Sequence, residues 1–132
     1  MQISVLAKRT GVSVHRLRRY ADLGMILSER RDSGYREFSD AAIREVTFIS
    51  MGRDLGLSLA TLADALPRYR TGTLEIDEMI AVLQARIAEV DHSIAEQRAL
   101  REKLVSHIDW FHARQTKMKA QAASSKPKRH TL

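Results

Sequence analysis

Four nitrogen-bearing side chains, His15, Arg16, Arg18 and Arg19, stand within five residues and are followed at once by Tyr20. A second group, Arg30, Arg31, Tyr35 and Arg36, follows shortly after. Guanidinium groups donate in pairs to phosphate oxygens or to the O6 and N7 edge of guanine, so arginine clusters with tyrosine among them suit a polyanion. They do not suit bond-making. No nucleophile, base and orienting group stand at a recognisable spacing, and no glycine-rich phosphate loop follows a strand. The carboxylates are scattered along helical stretches as partners of basic residues, Glu102 near Arg98 among them. The expectation is therefore a binding protein with no catalytic residue, no cofactor and no metal site.

The clusters need a frame, and the chain supplies one. Between Gln2 and Arg9 the apolar residues Ile3, Leu6 and Ala7 have helical spacing, and Thr10-Gly11-Val12-Ser13 breaks the helix with a turn glycine. Ser13 can cap the next helix by accepting from its free backbone N–H groups, which places it at the leading edge of the binding face. Val14, Leu17 and Ala21 then form an apolar stripe, with His15, Arg16, Arg18 and Arg19 pointing elsewhere, and the helix ends near Gly24. Two short helices joined by a glycine turn form a helix-turn-helix, whose second helix lies in the major groove of DNA. His15 and Arg16, on its first turn, are the candidates for reading bases. An Arg16 fork on guanine would be worth about 1–3 kcal/mol of discrimination.

From Met25 to Phe38 the helical period vanishes, and the polar run around Asp32-Ser33-Gly34 reads as the turn of a hairpin, a wing approached by Arg30 and Arg31. Ser39-Asp40 offers a new N-cap for a third helix through Ile43, Val46 and Ile49, which stops at Gly56. Leu57-Ser58 starts a fourth through Leu59, Leu62, Ala63 and Leu66, with Pro67 ending it.

After Thr71-Gly72-Thr73 the apolar residues Ile76, Ile80, Leu83, Ile87, Val90, Ile94, Leu104, Ile108 and Phe111 recur in alternating steps of four and three. This is a heptad seam, and at 1.5 Å per residue it spans roughly 54 Å. A lone helix cannot bury such a stripe, so a second copy of the chain is the simplest partner. Gln97 and Arg101 interrupt the seam: either they fix its register, or Leu100 and local repacking cover the gap. The division expected is a DNA-binding lobe over 1–70, a dimerisation helix over 73–112 and, over 113–132, a frayed helix end and a disordered basic tail.

Charge follows the same division. Residues 1–36 hold eight Lys or Arg against three acids, 37–112 hold eight against thirteen, and 113–132 hold six against none. A basic lobe of ordered structure suits DNA, where phosphate neutralisation supplies most nonspecific affinity. There is no cysteine, so disulfides and thiolate metal sites are excluded. The N-terminus has no export signal pattern and no stretch is apolar enough for a membrane span, which predicts a cytoplasmic location.

The run Ile3-Ser4-Val5-Leu6-Ala7-Lys8-Arg9-Thr10-Gly11-Val12-Ser13, with Leu17-Arg18, Tyr20, Leu23-Gly24, Ser33-Gly34-Tyr35-Arg36 and Leu55-Gly56-Leu57-Ser58-Leu59, resembles the MerR family of bacterial regulators over roughly residues 1–70. The resemblance implies a mainly α fold: a winged helix-turn-helix with a small β-hairpin, then a long C-terminal helix pairing as an antiparallel coiled coil. It implies phosphate contacts by Arg18 and Tyr20, and backbone or minor-groove contacts by Tyr35 and Arg36; partial core packing of Tyr20 and Tyr35 with the hydroxyl outward is compatible with such contact. It also implies a homodimer that bends and untwists an overlong spacer in promoter DNA for RNA polymerase. The family usually has an aromatic residue where this chain has Arg19 and an acidic one where it has Ala21, so this helix is more basic than its relatives.

Sensing is not legible. His92, His107 and His112 are too badly spaced to share a metal, and the expectation is that they are surface or seam-edge residues. A small-molecule effector remains unassigned, with Tyr69, Trp110 and Phe111 the aromatic residues that could line a small pocket against a partner's helix. An architectural or recombination accessory protein is the alternative, and the long seam argues against its small forms.

Overall fold

The computed structural model describes residues 1–125. In chain order these form α1 (Ile3–Thr10), α2 (Val14–Asp22), β1 (Ser28–Arg30), β2 (Arg36–Phe38), α3 (Ala41–Asp54), α4 (Leu59–Thr71) and α5 (Ile76–Ser125). The chain divides into two units, Met1–Arg86 and a second beginning at Ile87.

In the first unit, α1 closes at Gly11, whose φ of 72° lies in the left-handed region and whose N–H bonds to the Ala7 carbonyl at 2.9 Å. That conformation is free for glycine and strained for other residues, so the sharp turn into α2 rests on it. Ser13 then caps α2 by accepting from the Arg16 N–H at 3.2 Å. Leu6 and Leu17 are fully buried, joined in one core by Ile26, Phe38, Val46 and Ile49. Burial of each such side chain contributes about 1.5–3 kcal/mol, which is what holds helices this short.

The hairpin is antiparallel, with Ser28 opposite Phe38 and Arg30 opposite Arg36. Its turn closes where expected, with the Gly34 N–H bonded to the Arg31 carbonyl and the Arg31 N–H to the Tyr35 carbonyl, both at 2.8 Å. Phe38 anchors the second strand in the core, and the Phe38 N–H donates to the Met1 carbonyl at 2.7 Å. A buried ion pair fixes the near end. Glu45 of α3 accepts from Arg70 Nε of α4 at 3.1 Å and from the Leu27 N–H at 3.4 Å, and Arg70 Nη2 donates to the Met25 carbonyl at 2.5 Å. One carboxylate thus joins α3, α4 and the chain entering the wing.

Helices α3 and α4 approach closely at Gly52, where a Cβ would fall 2.2 Å from Leu62 Cδ2. The position expected for the N-cap of α3 is right, but Asp40 makes no side-chain cap bond. Pro67 does not end α4 as expected, because the helix continues to Thr71. Proline removes the bond to the Ala63 carbonyl, but both residues are exposed, so solvent can replace it. Arg68 stitches the following turn by donating to the Asp64 carbonyl at 3.0 Å and to Glu78 of α5 at 3.2 Å. The Glu78 carboxylate first, and then that of Asp64, which accepts from Arg68 Nη2 at 3.2 Å, raise its pKa above the ordinary arginine value. Arg86 Nε donates to the Leu55 carbonyl at 3.0 Å, fastening the start of α5 to the end of α3.

The second unit is the remainder of α5. Helix continues well past the expected end near Phe111, so the stretch 113–125 is helical and not a disordered tail. Extending an existing helix adds a bond for each residue fixed, and the Ala, Lys, Gln and Met of this stretch are good helix formers. The remaining tail, 126–132, lies outside the described residues.

The Glu45–Arg70 pair gives a test of the frame. Arg70→Met leaves a buried carboxylate uncompensated and is expected to lower the unfolding free energy by about 3 kcal/mol in urea titrations. Adding Glu45→Leu should recover most of that loss. An unchanged urea midpoint in Arg70→Met would show that the pair does not hold the wing entry.

Candidate nucleic-acid interface

Helix α2 has two different sides. Leu17 and Tyr20 turn into the core, while His15, Arg16, Arg18 and Arg19 are exposed. The structure thus brings together the four cationic or ionisable residues expected at the interface, with Ser13 exposed at their leading end. Tyr20 is only 3% exposed, and its ring belongs to the core. It also lines a shallow cleft of about 140 Å³ with His15, Arg16, Arg19, Arg53 and Leu59.

Arg53 is the residue that the sequence reading missed. It comes from the C-terminal turn of α3, donates to the Leu57 carbonyl at 2.9 Å and adds another cation along α2. Its signal is weak in sequence, since an arginine at a helix end is an ordinary feature. Only the packing of α3 and α4 carries it to α2.

On the wing, Arg30, Arg31 and Tyr35 are exposed, Tyr35 to 64%. Arg36 is not free in the way expected of a backbone contact. Its Nη2 is ion-paired with Asp22, the last residue of α2, and its side chain is 21% exposed. Between wing and helix lies an open cleft of about 260 Å³ lined by Ile3, Arg18, Asp22, Arg30, Gly34, Tyr35 and Arg36. Next along β2, Glu37 accepts from the Met1 ammonium at 2.9 Å. This hydrogen bond holds its carboxyl below the usual range, with burial acting in the opposite direction and Arg31 adding a smaller lowering. The contact is therefore present above the usual carboxylate pKa and is lost as pH falls through the lowered folded value.

Helix and wing together offer guanidinium forks and an exposed tyrosine from two rigid elements, which is the chemistry of base edges and phosphates. Among the described residues no group of three or more His, Asp or Glu is placed to hold a metal ion, and His92 pairs with Glu96 at 2.9 Å. No helix among them is long and apolar enough to cross a membrane.

Two family descriptions match the chain, MerR HTH family regulatory protein over residues 1–69 and MerR, DNA binding, over 43–107. Among curated relatives, the HTH-type transcriptional regulator HmrR of Rhizobium leguminosarum bv. viciae is 28% identical over 104 residues, covering 79% of this chain and 81% of that protein. The ZntR homolog of Haemophilus influenzae is 32% identical over 106 residues, covering 80% and 78%. Among solved structures, the lead(II) complex of PbrR691 from Ralstonia metallidurans CH34 superposes with a TM-score of 0.70 at 25% identity, covering 80% of this chain and 83% of that one. HiNmlR, a MerR family regulator lacking the sensor domain and bound to promoter DNA, shares the fold with a TM-score of 0.54 at 21% identity, covering 96% of each chain. These relatives are transcription regulators, which does not favour an architectural or recombination accessory role. A winged helix-turn-helix with its basic helix face open, matched over more than half its length by the family description, places this chain in the MerR family of DNA-binding transcription regulators.

Proposed function

We propose that the chain acts in the cytoplasm as a homodimer on double-stranded promoter DNA, each copy placing α2 in a major groove and its wing along the adjoining backbone. His15 and Arg16 read base edges. Arg18, Arg19, Arg31 and Tyr35, with Ser13 at the helix start, position the lobe on the phosphates, and Arg53 joins them from α3. The long helices pair antiparallel, so that the two lobes occupy two half-sites, and bending and untwisting the spacer lets RNA polymerase engage both promoter elements. Specificity is then partly the cost of deforming the spacer.

The observation that carries the dimer is the uncovered seam. Ile76, Ile80, Leu83, Ile87, Val90, Ile94, Leu104 and Ile108 are all exposed, Ile76 to 79%. Leu100 and Phe111 are exposed as well, and Trp110 packs edge-on against Phe111 with centroids 5.0 Å apart. Single exposed apolar residues are ordinary on protein surfaces, but a long stripe of them at heptad spacing, interrupted only at Gln97 and Arg101, marks an association surface.

Two experiments test this reading. Replacing Ile87 and Val90 together with Asp should give a monomer by sedimentation and abolish preference for a duplex selected from a random pool by the wild-type protein; a persistent dimer would show the seam to be misassigned. Arg16→Ala should relax sequence preference at one position of each half-site, costing about 1–3 kcal/mol there, while leaving affinity for random duplex nearly intact. A uniform loss across all sequences would remove Arg16 from base reading.

A further inference from the structure

The cleft between α2 and the wing is lined by Arg18, Arg30 and Arg36, and Asp22 is the carboxylate among its lining residues. Arg30 and Arg36 stand directly opposite each other in the hairpin register, an arrangement of like charges that pushes strands apart. Arg18 and Asp22 are four residues apart on α2 and so share a face of that helix. Asp22 is 65% exposed, whereas the Arg36 side chain it holds is 21% exposed, and Arg36 Nη1 is buried with no hydrogen-bond partner. The Asp22 carboxylate is thus the observed counter-charge of a guanidinium that has little other compensation.

We propose that Asp22 is a positioning residue for DNA binding: through Arg36 it straps the wing to the end of α2, so that both elements meet the duplex in one fixed relation. This rests on the DNA-binding reading of the α2 and wing face. The carboxylate shares its cleft with three arginines, and its own negative charge opposes DNA, so a role as simple surface charge and a role as strap have opposite consequences. Without the strap, Arg36 is left unpaired in a poorly solvated place and is repelled by Arg30 and Arg18, and the wing loses its relation to the helix. With Asp22 at its end, α2 is less basic where it meets the wing than Arg19 and Ala21 suggest.

The test uses full-length protein, a duplex selected by the wild type from a random pool, and a random duplex of equal length. Asp22→Asn should weaken binding to the selected duplex about tenfold although it removes a negative charge, and should hold the random duplex at least as tightly as wild type. Asp22→Glu, which can still reach Arg36, should stay within about twofold of wild type, and Asp22→Asn should add nothing to the loss caused by Arg36→Met. Hydroxyl-radical protection where the wing lies should fade in Asp22→Asn while protection under α2 persists. Thermal melts read alongside distinguish this from unfolding, since a folded Asp22→Asn that binds the selected duplex as tightly as wild type, or more tightly, overturns the strap. Additive losses from Asp22→Asn and Arg36→Met would also overturn it, because the two residues would then act separately. A wild type that prefers no sequence defeats the DNA-reading assignment itself, and the strap with it.

Discussion

A nine-residue helix is not stable alone in water, so what this lobe offers to DNA depends on how α2 is held from behind. Leu17 and Tyr20 supply that hold by burying one side of the helix among Leu6, Ile26, Phe38 and Ile49. The periodicity of the helix then decides the rest. With those two positions inside, His15, Arg16, Arg18 and Arg19 have no course but outward, and the cationic face is a by-product of packing. The Gly11 turn and the Ser13 cap set where that face begins.

The wing answers to the same constraint in a different way. Three residues per strand cannot bury enough surface to fix a hairpin, so its position comes from ties at its ends: Phe38 in the core, Met1 along β2, and the Glu45–Arg70 pair at the entry. Asp22 and Arg36 form a further tie, directly between helix and wing. Among the described residues α5 presents the opposite situation, a helix whose apolar stripe is exposed. Its heptad residues lie open, and the chain has no other segment of matching pattern to cover them. Lobe and helix thus pose one physical requirement, that an amphipathic helix be covered on its apolar side, and the proposed dimer meets the part that the single chain leaves unmet.

Local patterns in the sequence were informative wherever the structure is local. The helix spacing of Ile3, Leu6 and Ala7, the cap at Ser13, and the turn at Asp32-Ser33-Gly34 all appear at the expected places. What the sequence concealed involves partners far apart or competing tendencies. Asp22 and Arg36 are 14 residues apart, and Glu45 and Arg70 are 25 apart, with nothing in either neighbourhood to join them. Tyr20 carries a polar hydroxyl on an apolar ring, and only the fold shows how fully that ring completes the buried side of α2. Pro67 signals a helix end by its missing donor, but at an exposed site that loss is small enough for α4 to continue. The Lys and Ala residues after Phe111 read as a loose tail because they hold no apolar anchor, although their propensity favours extending α5.

The proposed regulator uses the α2 face twice, at a separation fixed by the paired long helices. The most direct measurement is binding to duplexes in which the two half-sites of a selected operator are moved apart by half a helical turn, about five base pairs. A fixed pair of lobes predicts that affinity falls by at least about tenfold, because the second α2 then faces the wrong side of the duplex. Affinity that does not respond to the spacing would mean that each lobe binds by itself, and would contradict the account.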